Sequence, residues 1–130
     1  MAGDPITVVL VEDNEIFREA LELLLGVVPD IEVVAAAGDG RSALEFCVRL
    51  EPDVVLMDYR LPELDGVETT AAIRQRCPGT AVVVLTATAE TEEIDALYEA
   101  GAVACLTKDR ELEEIVGAVR DAAGRGAALR

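Results

Sequence analysis

Asp53-Val54-Val55-Leu56-Met57-Asp58 is the stretch on which the fold turns, a short apolar run that begins and ends in an acid. A run of this length, without alternation of apolar and polar residues, reads as a strand covered on both faces. Its last residue, Asp58, then stands at the strand's C-terminal tip. Leu61-Pro62-Glu63-Leu64-Asp65-Gly66 follows with the chemistry of a turn, leading into a helix from about Val67 to Arg76 that Pro78-Gly79 halts.

The same order repeats on either side. Upstream, Ile6 to Val11 is a β-branched strand closed by Glu12-Asp13, and Glu15 to Val28 is a helix ended by Pro29-Asp30. Its residues Ile16, Phe17, Ala20, Leu21, Leu24 and Leu25 recur at helical spacing. Ile31 to Ala37 is a strand, Gly38-Asp39-Gly40 a turn, and Ser42 to Leu50 a helix with Ala43, Leu44, Cys47 and Leu50 inward. Downstream, Thr80 to Thr86 is the most β-like run. Glu90 to Ala100 is a helix with Gly101 as its C-cap, Val103 to Thr107 a strand followed at once by Lys108, and Arg110 to about Ala122 the last helix.

Five strands alternating with five helices through short connections require right-handed crossovers and a parallel sheet. The expected fold is α/β, a flavodoxin-like (βα)5 doubly wound sandwich with strand order 2-1-3-4-5. Residues 1–125 are expected to form the domain and 126–130 a tail, with any output domain outside this sequence.

Composition narrows the function. The chain is 52% hydrophobic but only 3% aromatic, so Val, Leu, Ile and Ala must build the core. Eleven basic against 26 acidic residues give a net charge of −15, which repels nucleic-acid phosphates and anionic lipid, so the chain itself is expected to bind neither. No apolar run reaches membrane-span length and no signal peptide is legible, so a cytoplasmic protein is expected. Cys47, Cys77 and Cys105 lack metal-ligand spacing and there is no His, which argues against zinc.

In open sheets of this order, ligands sit beyond the carboxyl ends of the strands, near the switch point between strands 1 and 3. Those strands end in Glu12-Asp13 and Asp58, and Thr86 and Lys108 mark the tips of strands 4 and 5. Singly, each has a plain explanation as a loop acid, helix cap, strand threonine or surface lysine. Together they select one edge of the sheet. Three converging carboxylates repel one another unless one is protonated or a cation is bound, and all-oxygen ligands at an open site suit Mg2+ or Mn2+. Asp58, on the central strand, is the candidate nucleophile. Glu12 and Asp13 would hold the metal, Lys108 would pair with phosphoryl oxygens, and the Thr86 hydroxyl would donate to one.

As a spaced set, Glu12-Asp13, Asp58-Tyr59-Arg60-Leu61-Pro62-Glu63-Leu64-Asp65-Gly66, Thr86-Ala87 and Lys108 resemble the receiver domains of bacterial two-component response regulators. The likeness covers essentially the whole chain, and the Tyr59-Arg60-Leu61-Pro62 wording is most similar to receivers joined to helix-turn-helix outputs of the NarL type. The resemblance implies that Asp58 is the phosphoacceptor, and that Glu12, Asp13, Asp58 and the Arg60 backbone carbonyl form the Mg2+ site. It also implies that Thr86 and Lys108 read the phosphoryl group. It further implies a sensor histidine kinase as partner, a homodimer on phosphorylation, and control of transcription through a DNA-binding domain outside this chain. Such a domain catalyses only its own phosphorylation and dephosphorylation. Two positions depart from the pattern. Asp109 follows Lys108 where the family often has Pro, and Cys105 stands at the switch position where Tyr or Phe is usual.

Two other readings are kept. Gly38-Asp39-Gly40-Arg41-Ser42-Ala43 fits G-x-G-x-x-A, the fingerprint of a dinucleotide- or flavin-binding fold, but it falls on the second strand and turns Asp39 toward a pyrophosphate. A receiver-like scaffold that is never phosphorylated is the other.

Overall fold

The computed structural model describes residues 4–61, 64–87 and 90–124. Along the chain these form β1 (Ile6–Val11), α1 (Glu15–Gly26), β2 (Ile31–Ala37), α2 (Gly40–Leu50), β3 (Val54–Asp58), α3 (Gly66–Arg76), β4 (Ala81–Thr86), α4 (Thr91–Ala100), β5 (Ala104–Thr107) and α5 (Leu112–Ala122). The strands form one parallel sheet in the order β2-β1-β3-β4-β5, as the alternating pattern requires. The 126–130 tail expected from sequence lies outside the described residues, as do Pro62 and Glu63.

The pleat divides the core in two. Val8, Leu10, Val54, Leu56, Val83 and Leu85 face α1 and α5, packing on Leu21, Leu25, Ile115 and Val119. Their alternate neighbours Val9, Val11, Val55, Met57, Val82 and Val84 face α2, α3 and α4, packing on Ala43, Cys47, Ile73 and Leu97. Every residue of β3 is buried, which is why its sequence shows no polar alternation. Each large aliphatic side chain so enclosed contributes about 1.5–3 kcal/mol of transfer free energy.

The starts of α1, α2 and α3 are fixed by side chains that accept otherwise orphaned amide protons. The Phe17 amide donates to Asn14 Oδ1 at 3.0 Å, that of Ser42 to Asp39 Oδ1 at 2.8 Å, and that of Glu68 to Asp65 Oδ1 at 2.9 Å. Asp39 therefore starts α2 two residues earlier than expected, at Gly40 rather than Ser42. Gly40 is required by packing, since a Cβ there would overlap Thr69 Oγ1 and meet the Leu64 Cβ at 3.1 Å. Gly101 ends α4 at φ +116°, a left-handed backbone that side chains resist.

One expected inward set needs correction, that of α2, and on α1 the residues at helical spacing do not all face the sheet. On α1, Leu21 and Leu25 are buried and Phe17 half-buried, but Ile16 is 82% exposed and Leu24 47% exposed, and Ala20 also faces outward. On α2, Leu50 is exposed. Both helices carry an apolar arc wider than the strip the sheet can cover.

Candidate functional site

Parallel strands deliver their C-terminal tips to one edge, and the edge near the β1/β3 switch point gathers the predicted residues. Glu12 and Asp13 follow the last residue of β1, Asp58 ends β3, Thr86 ends β4, and Lys108 follows β5 directly. Glu12 is 1% exposed and Asp58 6%, whereas Asp13 is open to solvent. One carboxylate oxygen from each acid lies within 4.8 Å of the other two.

That geometry makes a fit test for a divalent cation possible. A hard ion with bonds of about 2.1 Å spans roughly 4.2 Å between opposite ligands, so small side-chain adjustments bring the three oxygens into one coordination shell. The donor set is all oxygen, and Asp13 leaves a side open for water or a phosphoryl oxygen. The three acids therefore form a group that could hold a metal ion.

Lys108 crosses the same pocket, with Nζ at 2.9 Å from Glu12 Oε1 and 3.3 Å from Asp58 Oδ2. Burial pushes the Glu12 pKa up, and Asp58 adds to this. The hydrogen bonds from Lys108 and from the Asn14 amide, the latter at 3.0 Å, oppose the rise without cancelling it. For Lys108 burial pulls the other way, toward loss of the proton, but the two acids outweigh it and its pKa is raised. The lysine thus stays an ammonium, bridging two carboxylates that water barely reaches.

Backbone hydrogen bonds hold the tips in register. The Lys108 amide donates to the Thr86 carbonyl at 2.9 Å, the Tyr59 amide to the Leu85 carbonyl at 2.9 Å, and the Arg60 amide reaches Asp58 Oδ1 at 3.4 Å. Thr86 is buried.

Asp39 occupies the start of α2 with its own carboxylate, accepting from the Ser42 amide and, at 3.1 Å, from the Ser42 hydroxyl. A pyrophosphate would need those donors, and Gly40 is packed on α3 and the loop before it, so the G-x-G-x-x-A match has a structural explanation. The concavity of about 380 Å³ between α2 and the α3–β4 turn lies at the opposite ends of the strands, and of its two acids, Glu51 and Asp53, the latter is engaged in accepting from the Thr7 amide and hydroxyl.

The sequence profile described as the response regulator receiver domain matches residues 8–120. The chain belongs to the receiver domain family of response regulators. Among relatives, this receiver is 37% identical over 121 residues to the transcriptional regulatory protein LiaR of Bacillus subtilis, covering 93% of this chain and 57% of that protein. It is 31% identical over 120 residues to the nitrate/nitrite response regulator NarL of Escherichia coli K12, covering 92% and 56%. The receiver thus spans about half the length of the curated relatives it matches. Among solved structures, the signal receiver domain of the response regulator NarL from Mycobacterium tuberculosis superposes with a TM-score of 0.89 at 36% identity, covering 93% of this chain and 98% of that one. These likenesses agree with a NarL-type receiver, a signalling module of two-component systems. Among the described residues, no helix is long and apolar enough to cross a membrane.

Several residues of the receiver's site carried no signal in sequence. Arg18 donates through Nη1 to the Glu12 carbonyl at 2.7 Å, tying α1 to the β1 tip. The Phe17 ring lies under Lys108 Nζ, 4.5 Å from its centroid. At the departures from the family pattern, Cys105 is half-buried and packs toward the α2–α4 side, and burial pushes its thiol pKa up. Its amide donates to the Tyr98 hydroxyl at 3.2 Å, so an aromatic ring does border β5, supplied by α4. Asp109 accepts from the Thr107 hydroxyl at 2.6 Å.

Proposed function

We propose that residues 1–125 act as the phosphoacceptor of a two-component response regulator, taking a phosphoryl group from a sensor histidine kinase onto Asp58 with Mg2+ bound by Glu12, Asp13, Asp58 and the Arg60 carbonyl. The observation that carries this is the joining of Glu12, Asp58 and Lys108 in one pocket at the strand tips, with Asp13 at its open side. An Asp58 carboxylate oxygen forms the new O–P bond while the bond from phosphorus to the donor's nitrogen or acyl oxygen breaks, its electron pair leaving with the donor. The metal supplies neutralisation of charge on the phosphoryl oxygens. Lys108 pairs with one of those oxygens, and Thr86 donates to another.

The kinase reading has support beside the pocket. Ile16 and Leu23 of α1 and Val27 at its C-cap are each at least 75% exposed and line up along one side of the helix with Ala20. Apolar surface of this extent beside a reactive site marks a place for a protein partner. Phosphorylation draws Thr86 and its loop inward and repacks the α4–β5–α5 face, a shift driven by contacts made only in the phosphorylated state. That face then controls an output, through a homodimer and a DNA-binding domain of the kind borne by transcriptional regulators, within the cytoplasm.

Intact mass before and after incubation with Mg2+ and a small acyl phosphate tests the proposal. Wild type gains one phosphoryl group, Asp58→Asn gains none, and Asp95→Asn, on the exposed side of α4, gains it normally. Labelling that persists in Asp58→Asn rejects the assignment.

A further inference from the structure

Lys108 reaches the acid pocket from the start of a loop, on a flexible stem that is partly exposed. Its ammonium has three neighbours of two kinds. Two are the carboxylates of Glu12 and Asp58, and the third is the face of the Phe17 ring. An ammonium over an aromatic face is held by the ring's quadrupole, more strongly where water is excluded. Phe17 is itself anchored, since its amide is bound by the Asn14 cap and its ring packs against the α1/α5 core. The neighbouring Arg18 ties the same turn of α1 to the Glu12 carbonyl.

We infer that Phe17 is a positioning residue for phosphoryl transfer, its ring forming the floor on which the Lys108 ammonium is held at the mouth of the Asp58 pocket. This rests on the phosphoacceptor reading and adds to it a residue from outside the strand tips. Carboxylates alone leave the lysine free to follow whichever oxygen is most negative. The ring attracts the cation without competing as a hydrogen-bond acceptor, so Lys108 can turn from Glu12 to a phosphoryl oxygen and keep its place. Leucine would fill the core side of the position but offers no π face, whereas tyrosine keeps it.

The test combines kinetics with a spectroscopic reading on the intact chain. The rate of Asp58 labelling by a small acyl phosphate with Mg2+ is measured for wild type, Phe17→Leu, Phe17→Tyr, Lys108→Met and the double variant Phe17→Leu/Lys108→Met. Proton NMR follows the Lys108 side-chain methylene shifts, and thermal melts confirm that each variant is folded. Phe17→Leu is expected to label about three- to thirtyfold more slowly, the range a cation–π contact supports. Phe17→Tyr is expected to label near the wild-type rate, and Phe17→Leu to have no further effect once Lys108 is methionine. The upfield ring-current shift of the Lys108 methylenes should be present in wild type and Phe17→Tyr and absent in Phe17→Leu. Equal slowing by Phe17→Leu with and without Lys108, or no slowing at all, overturns the role of Phe17. A wild type that never gains mass overturns the phosphoacceptor reading instead, a failure the ring-current shift keeps separate from loss of the contact itself.

Discussion

Replacing Lys108 by methionine removes the cation from between two nearly dry carboxylates while keeping a flexible, apolar side chain of similar reach. The side chains of Glu12 and Asp58 are 2% and 7% exposed, and that of Lys108 is 27% exposed. Deleting one partner of a fully buried ion pair costs about 3–5 kcal/mol, because the charge left behind is unpaired. Here water enters along the lysine stem and Glu12, already pushed toward protonation by burial, can take a proton, so the expected loss is smaller, about 2–3 kcal/mol. For a domain of this size that lowers Tm by roughly 6–15 °C. A divalent cation supplies the missing positive charge. Mg2+ should therefore restore more stability to Lys108→Met than it adds to wild type, where it must share the carboxylates with the ammonium. At ~100 times Kd the linkage amounts to about 2.7 kcal/mol. Thermal melts of both proteins near neutral pH, across a Mg2+ titration, measure the two effects together. An unchanged Tm without metal, or an identical Mg2+ response in the two proteins, would refute the bridging role of Lys108 and the shared acid pocket.

Two more outcomes follow from the site. In metal-free buffer the folded Glu12 holds its proton more tightly than the ordinary value of 4.5, so between 4.5 and that raised value the native state binds more protons than the unfolded one. Its contribution to stability therefore falls as pH rises through this window, and urea melts over a pH series should show that fall in wild type and not in Glu12→Gln. Lys108, raised above its ordinary 10.5, contributes stability that is intact below 10.5 and lost as pH climbs through the raised value, and the same series in Lys108→Met should lack that alkaline loss. For signalling, Thr86→Ala should lose most of the phosphorylation-induced change in self-association measured by light scattering. Cys105→Ala should lose little of it, at a stability cost near ~1 kcal/mol; a Cys105→Ala protein that labels normally but no longer responds would make Cys105 a switch residue.

The order of strands and helices, and the strand tips that carry Glu12, Asp13, Asp58, Thr86 and Lys108, were determined by the sequence itself. Both rest on local chemistry: β-branched runs, turn residues and the period of apolar side chains hold within a dozen residues, and a parallel sheet then sends every strand's end to one edge. Helix starts were legible only to within a few residues, because whether Asp39 or Ser42 begins α2 depends on which side chain accepts the free amide. The facing of α1 was decided by tertiary structure. Its apolar arc runs from Ile16 through Leu25, but the sheet covers only the strip of Leu21, Leu25 and part of Phe17, leaving Ile16 and Leu24 in water. Lys108 meets Glu12 across 96 residues of chain and settles over Phe17, and Tyr98 of α4 reaches the β5 amide of Cys105. No spacing in the sequence encodes such meetings, since they depend on how far helices and loops roll as the core closes around the sheet.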